Sequence, residues 1–267
     1  PVLIVSFLSY LKMPFDLTKN MISYILNVLV ILILIGIFFS VTKIWYIIDL
    51  TSFFSVKGIP TFQNMRIPGT PAMFYEPALN YSLRLVSTIL DPISFGHILT
   101  SGFVTLYFIN GIVKNRKTYL FLILLGLFLT MSKGAIFQLI LCLTLFNSKL
   151  NFFLRFLIPL IVLISGYFLI DLRGIIIHFT GLYYAIVNIN WFGHGLGLVG
   201  NYAKMFANDL TVYKQIKISD TFMGSVIGQI GIVGTFIWLS FFYKSFLSIF
   251  FQKKIMPGSI IILTQLI

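Results

Sequence analysis

The sequence predicts an all-α fold: a polytopic bundle of membrane helices carrying two large loops on one face. Three observations predict it. First, 58% of the 267 residues are hydrophobic and 10% are charged, and the mean hydropathy is +1.00. A soluble domain of this size has too much surface to be so apolar, so lipid is the expected solvent for much of it. Second, the apolar residues gather in runs of about 20, the length a helix needs to cross hydrocarbon. Third, Lys and Arg cluster in the short connections between runs, as cytoplasmic loops do.

The elements follow in chain order. The chain opens on "PVLIVSFLSYL" and closes on "SIIILTQLI". Both read as pieces of further helices, so residues 1–267 are expected to form a single membrane domain truncated at both ends. Residues 21–41 are the first expected span. A loop at about 42–91 follows; its "GIPTFQNMRIPGTPAMFYEPALNY" is turn-rich, with aromatics between prolines. Asp91-Pro92 then reads as a helix start. Asp accepts from free N–H groups, and Pro at the first helical position lacks an N–H that would be unpaired anyway. The span it opens is expected over 92–113, with Arg84 ahead of it and His97 little more than a turn inside.

Residues 118–146 are too long for one span and short for two, and "SKG" at 132–134 lies at their centre. Two short helices turning there would put Lys12, Lys19, Lys114, Arg116, Lys117, Lys149, Arg155, Lys244, Lys253 and Lys254 on one side. These lie in short connections, so that side is cytoplasmic. A single helix would leave Lys133 at mid-bilayer, at a cost of about 3 kcal/mol. The two-helix reading is the better one. Further spans are expected at 152–170 and 221–243, separated by a second outer loop at about 171–220. That loop's "GIIIHFTGLYYAIVNINWFGHG" has the Tyr and Trp of a membrane-interface segment.

Several function classes are excluded or weakened. The net charge of +12 belongs to membrane-flanking loops and not to a nucleic-acid surface. Cys142 stands alone in an apolar run, a small buried hydrophobe with no disulfide framework. His97, His178 and His194 lack metal-ligand spacing, so no metal site is expected. "GHGLGLVG" holds Gly195, Gly197 and Gly200, yet no strand precedes it and no βαβ unit follows, against a dinucleotide site. A tight turn exposing backbone N–H groups is expected there, with His194 at its tip. Gly224, Gly228, Gly231 and Gly234 have the spacing of close helix packing.

The candidate site is a set of cations at the outer mouth. Arg66 and Arg84 lie in the first loop, Arg173 opens the second, and Lys133 sits at the recessed turn. Together they would suit a diphosphate, which guanidinium binds bidentately; the alternative is interfacial snorkelling. Ser219-Asp220 is expected to cap the last span, bringing a carboxylate to the same mouth.

In order along the chain, "RLVSTILDPISFG", "MSKGA", "FGHGLG" and "SDTFMGSVIGQIGIVG" resemble the O-antigen ligase and polymerase family of bacterial envelope enzymes, which includes the Wzy-type repeat-unit polymerases. The resemblance spans about 66–239. It implies a multi-pass enzyme of the bacterial plasma (inner) membrane whose active face looks outward. Its donor would be an undecaprenyl-diphosphate-linked oligosaccharide. Its reaction would be an inverting glycosyl transfer onto an acceptor sugar of O-antigen, capsule or exopolysaccharide, with no metal or other cofactor. Its surroundings would be membrane lipid, a flippase and a chain-length regulator. Arg84 takes the position of the family's diphosphate-binding arginine and is a catalytic candidate, since fixed cations stabilise the charge of the leaving diphosphate. Lys133 stands where the family has Arg. Arg66, Arg173, Lys133 and His194 are substrate-binding candidates. The acceptor hydroxyl must lose a proton, and Asp220 is the first choice of base, ahead of His194 and Glu76. Asp220 also stands where ligases carry a His-Asn pair, which points to a polymerase. The competing readings are ligase-type transfer and a lipid-linked sugar flippase or other transporter. A transporter would carry ionisable residues at mid-span or broken helices in matching halves.

Overall fold

The structure, a computed structural model, describes residues 15–42, 47, 50–56, 60–62, 67–109, 111–145, 147, 150–169, 172–195, 199 and 222–251. Arg66 and Asp220 lie outside the described residues, and for Arg173 and His178 only the backbone is described. The chain is mostly helical and divides into two compact units, 1–52 with 60–161 and 244–267, and 53–59 with 162–243.

In the first unit, helix α1 (Phe15–Thr42) is apolar on every face. Ile22, Leu26, Leu29 and Ile33 recur at spacings of three and four and are buried, while Tyr24, Ile25, Ile31, Leu34 and Phe38 are exposed. Its segment Lys19–Thr42 is long and apolar enough to cross a membrane, and no other helix among the described residues meets that test. The buried stripe packs into one core with Phe95, Leu99 and Phe103 of α3 (Pro92–Phe108), Ile123 and Leu127 of α4 (Arg116–Thr130), and Ala135, Leu139 and Cys142 of α5 (Lys133–Leu145).

Asp91 caps α3 as its sequence requires. Oδ1 accepts from the Ile93 N–H at 3.0 Å, and Oδ2 accepts from the Ser94 hydroxyl at 2.5 Å. The helix stops earlier than the expected 113, after 17 residues. Gly111 turns the chain at φ 74°. Arg116 then covers the exposed end of α3: its Nε donates to the Leu106 carbonyl at 2.9 Å and its Nη2 to that of Tyr107. A guanidinium at a helix C-terminus satisfies carbonyls that have no partner within the helix. At about 25 Å, α3 is shorter than typical hydrocarbon thickness.

The stretch 118–146 is two helices, α4 and α5, broken where "MSKG" predicts. Met131 takes a left-handed φ of 51°, and its N–H closes the last turn of α4 onto the Phe128 carbonyl.

The expected loop 42–91 carries more structure than its composition suggests. A short helix α2 (Leu50–Val56) is followed by two antiparallel ribbons. Strands β1 (Thr61–Phe62) and β2 (Thr70–Pro71) pair first, then β3 (Tyr75–Glu76) and β4 (Ser82–Leu83). The all-α expectation holds for the helices, and these short ribbons are the exception.

Helix α6 (Phe152–Leu169) begins in the first unit. In the second, α7 (Leu172–Val187) occupies the first part of the expected loop 171–220. Helix α8 (Phe222–Phe251) is not continuous, because Gly231 has φ 66° and ψ −166° and divides it. The span expected at 221–243 is thus divided within its length. The physical reason lies in the loop that docks on the break, described next.

Candidate functional site

A buried carboxylate between two cations forms the candidate site of the first unit. The β3–β4 register pairs Glu76 with Ser82. Arg84 lies two residues beyond Ser82, so Glu76 and Arg84 are diagonal neighbours on one face, within reach for long side chains. The Arg84 N–H donates to the Phe74 carbonyl at 2.8 Å and extends the ladder by one rung. Behind Glu76, the Tyr75 hydroxyl is buried against the Thr70 hydroxyl at 2.9 Å and accepts from the Ile67 N–H at 2.8 Å. This polar knot fixes the strand that presents Glu76.

Arg84 Nη2 donates to Glu76 Oε2, and Lys133 Nζ lies 3.0 Å from Glu76 Oε1. Each carboxylate oxygen therefore has its own cation. The Glu76 side chain is 4% exposed, that of Arg84 12%, and that of Lys133 45%. Burial alone would push the Glu76 carboxyl up. Hydrogen bonds and charge from Lys133 and Arg84 outweigh that and hold it below its ordinary value. A carboxylate held in its charged form by two cations is a weaker base. Arg84 Nε is buried and has no hydrogen-bond partner among the described residues.

Lys133 reaches Glu76 because the α4–α5 break presents it there. The extended segment after β4 runs along that break: the Leu85 N–H donates to the Leu129 carbonyl of α4 at 2.8 Å, and the Ser87 hydroxyl donates to Leu32 of α1 at 2.8 Å. Gly96 of α3 faces the same turn. A Cβ there would meet Ser132 Cβ at 2.8 Å and Ala135 Cβ at 3.0 Å. Only a glycine lets α3 come so close. Beside it, His97 Nδ1 lies 2.6 Å from Gln138 Oε1, and the Thr100 hydroxyl donates to the Ala135 carbonyl at 2.9 Å.

Of the expected cations the structure therefore brings Arg84 and Lys133 together. The signal that sequence reading underused was Glu76, noted there as a third choice of base and found here as the bridge between them. It sits between turn signals, and its register with Arg84 depends on a ribbon only two residues long, which no periodicity announces.

His194 belongs to the second unit and to a different arrangement. The loop around Gly193 lies against the Gly231 break. The His194 N–H donates to the Gly228 carbonyl at 2.8 Å and the Gly195 N–H to Gln229 at 3.2 Å. In return, the Ile232 and Val233 N–H groups donate to Asn190 and Trp191 at 2.9 and 3.1 Å. Both unpaired ends of the broken helix are satisfied by one loop. The expectation that this turn exposes its N–H groups is corrected, because α8 takes those of His194 and Gly195. His194 Nε2 donates to the Asn188 carbonyl at 3.0 Å. Gly231, expected to serve helix packing, is instead the point of the break.

Among the described residues no three His, Cys, Asp or Glu side chains gather as metal ligands. No protein-family model matches the chain, and no curated protein or solved structure matches it.

Proposed function

We propose that this chain is a polytopic membrane glycosyltransferase of the plasma membrane, most like a Wzy-type polymerase. It transfers oligosaccharide repeat units from undecaprenyl diphosphate to an acceptor sugar at the outer face. The observation that carries the reading is the Arg84–Glu76–Lys133 cluster beside the α4–α5 break. A buried donor without a partner costs about 1–3 kcal/mol, and Arg84 Nε is such a donor. A phosphate oxygen arriving at that edge relieves the cost. Lys133, half-exposed, supplies the second charge to the departing diphosphate. Glu76 holds both cations in position before substrate binds, the preorganisation that makes fixed charges effective in a dry site. Membrane residence is supported by the apolar residues that α1, α4 and α8 leave exposed, Ile31, Phe38, Phe121, Phe128, Phe236 and Ile237 among them, a pattern suited to lipid as solvent.

The test is reconstitution of the full protein in vesicles with lipid-linked repeat units extracted from a deletion strain of the source bacterium. Polymer should form, and Arg84→Ala should slow it on the order of 10²–10³-fold with normal protein levels. Arg84→Lys should recover only part, because a point charge cannot fork to two oxygens. Wild-type rates from Arg84→Ala would sink the reading.

A second reading, a lipid-linked sugar transporter, gains from the break at Gly231, since broken helices frame transport sites. It predicts movement of labelled donor across the vesicle with no polymer formed. Ligase-type transfer predicts a single transferred unit in place of a chain.

A further inference from the structure

We infer that His97, held by Gln138, is the proton acceptor for the attacking sugar hydroxyl; this rests on the glycosyl-transfer reading above. The residues first considered for that role are poorly suited where the structure describes them. Glu76 has both oxygens on cations, and His194 belongs to the second unit and takes no part in the Arg84–Glu76–Lys133 cluster.

His97 lies in the first unit, its ring beside Gly134 at the turn that carries Lys133. Its Nδ1 lies 2.6 Å from the side-chain oxygen of Gln138, and Gln138 is buried. With the Gln138 amide oxygen facing the ring, that oxygen accepts, Nδ1 carries the ring proton and Nε2 keeps its lone pair. One hydrogen bond thereby selects the basic tautomer and fixes the ring. The Cε1–Nε2 edge faces Gly134: a Cβ built on that glycine would lie 3.5 Å from both ring atoms. Gly134 is exposed and has no side chain to lie over that edge. It also directly follows Lys133, whose ammonium joins the Glu76–Arg84 cluster. The ring edge of His97 and the ammonium of Lys133 are thus brought to neighbouring residues of one turn, Gly134 and Lys133.

The step balances. The acceptor hydroxyl gives its proton to His97 Nε2 as its oxygen bonds to the anomeric carbon. The bond from that carbon to the diphosphate oxygen breaks, and its electron pair leaves on the diphosphate, beside Arg84 and Lys133. The imidazolium then releases its proton to solvent after the product departs.

The experiment uses the same reconstituted full protein and extracted lipid-linked repeat units. His97→Asn should lower kcat on the order of 10²–10⁴-fold with little change in KM for the lipid-linked donor and unchanged binding of undecaprenyl diphosphate. Added imidazole should restore part of the activity of His97→Gly, which a packing role would not allow. Gly134→Leu should cover the Nε2 edge and lower kcat while His97 stays in place. Gln138→Leu should give an intermediate loss, because the tautomer is no longer held. If His97→Asn extends chains at the wild-type rate, or if its loss of activity tracks loss of undecaprenyl diphosphate binding, His97 is not the acceptor. If wild-type protein makes no polymer, the glycosyl-transfer reading fails first, and this inference falls with it.

Discussion

The two helix breaks, at Met131–Ser132 and at Gly231, solve one problem by opposite means. A broken helix leaves N–H and C=O groups without partners, and in an apolar setting each must be paired. At the first break the partners are mostly local. Met131 closes α4 in a left-handed cap, the Thr130 hydroxyl accepts from the Ser132 N–H, and Ser132 Oγ accepts from the Ala135 N–H, both at 3.4 Å. The backbone of residue 85 supplies one more bond. At the second break four bonds among the described residues come from the distant loop 190–195, backbone to backbone. The first break is closed largely by its own backbone and hydroxyls, with Gly96 packed close on Ser132. The second depends on two backbone segments approaching almost to contact.

The largest effect is therefore expected at Gly193. A Cβ there would lie 2.1 Å from the Gln229 carbonyl oxygen and 2.7 Å from the Gly231 nitrogen, and the residue has φ +79°. The obstruction is backbone and cannot swing aside. Gly193→Ala should open the clasp and leave several helix-end groups unpaired, a loss on the order of 3–5 kcal/mol. Thermal denaturation in detergent and limited proteolysis after residue 187 would read it. A variant as stable as wild type would mean that the loop does not hold α8 closed.

The same contrast explains how much was legible in the sequence. The break at 132 is written in adjacent residues: "SKG" interrupts an apolar run, and a lysine there is costly unless the helix ends. Asp91-Pro92 is equally local, and both were readable. The Gly231 break was not, because its partner lies some forty residues earlier and because glycines spaced by three or four carry the same pattern as close helix packing. Arg84 and Lys133 are legible by type, as two of the four cations expected to converge. Their common partner is not, since Glu76 meets them through a two-residue ribbon whose register only the folded chain reveals. Helix α7 escaped for a further reason. Its Tyr-rich apolar run suits an interfacial segment of any conformation, so composition leaves its helicity open.

A smaller effect, confined to the first break, is expected from Glu76→Gln. The change leaves Arg84 buried beside a neutral amide, while Lys133 can turn to solvent. Stability should fall by about 2 kcal/mol, below the usual loss for a broken buried pair because one cation is half-exposed. The sign with pH follows from the lowered Glu76 carboxyl. Its contribution is complete above the ordinary carboxyl value and is lost as pH falls through the lowered folded-state value. Acid denaturation of wild type should therefore contain a component that Glu76→Gln lacks. Superimposable acid transitions in the two proteins would count against the ion pairs. The Gly231 clasp, which has no titrating partner in its backbone bonds, should respond to neither change.

The smallest effect is expected at Ser132, and its smallness is the point. Ser132 is buried at the start of α5, and its hydroxyl accepts from Ala135 at 3.4 Å, a long bond that contributes little. Ser132→Ala removes that oxygen and keeps the Cβ that packs toward Gly96. Loss of a capping hydroxyl ordinarily costs about 1 kcal/mol, and here the loss should be no larger. The Leu85 bond to Leu129 and the Ile136 bond to Ser132, both backbone to backbone, survive the change. Ser132→Val is the sharper partner experiment. It also lacks the oxygen, but its added methyls must fit where a Cβ on Gly96 would already touch. If Ser132→Val falls well below Ser132→Ala in thermal stability, close approach governs the first break as it governs the second. Equal stabilities would mean that the turn at 131–132 is held by its backbone bonds and has room to spare, and the two breaks would then differ in tolerance as well as in construction.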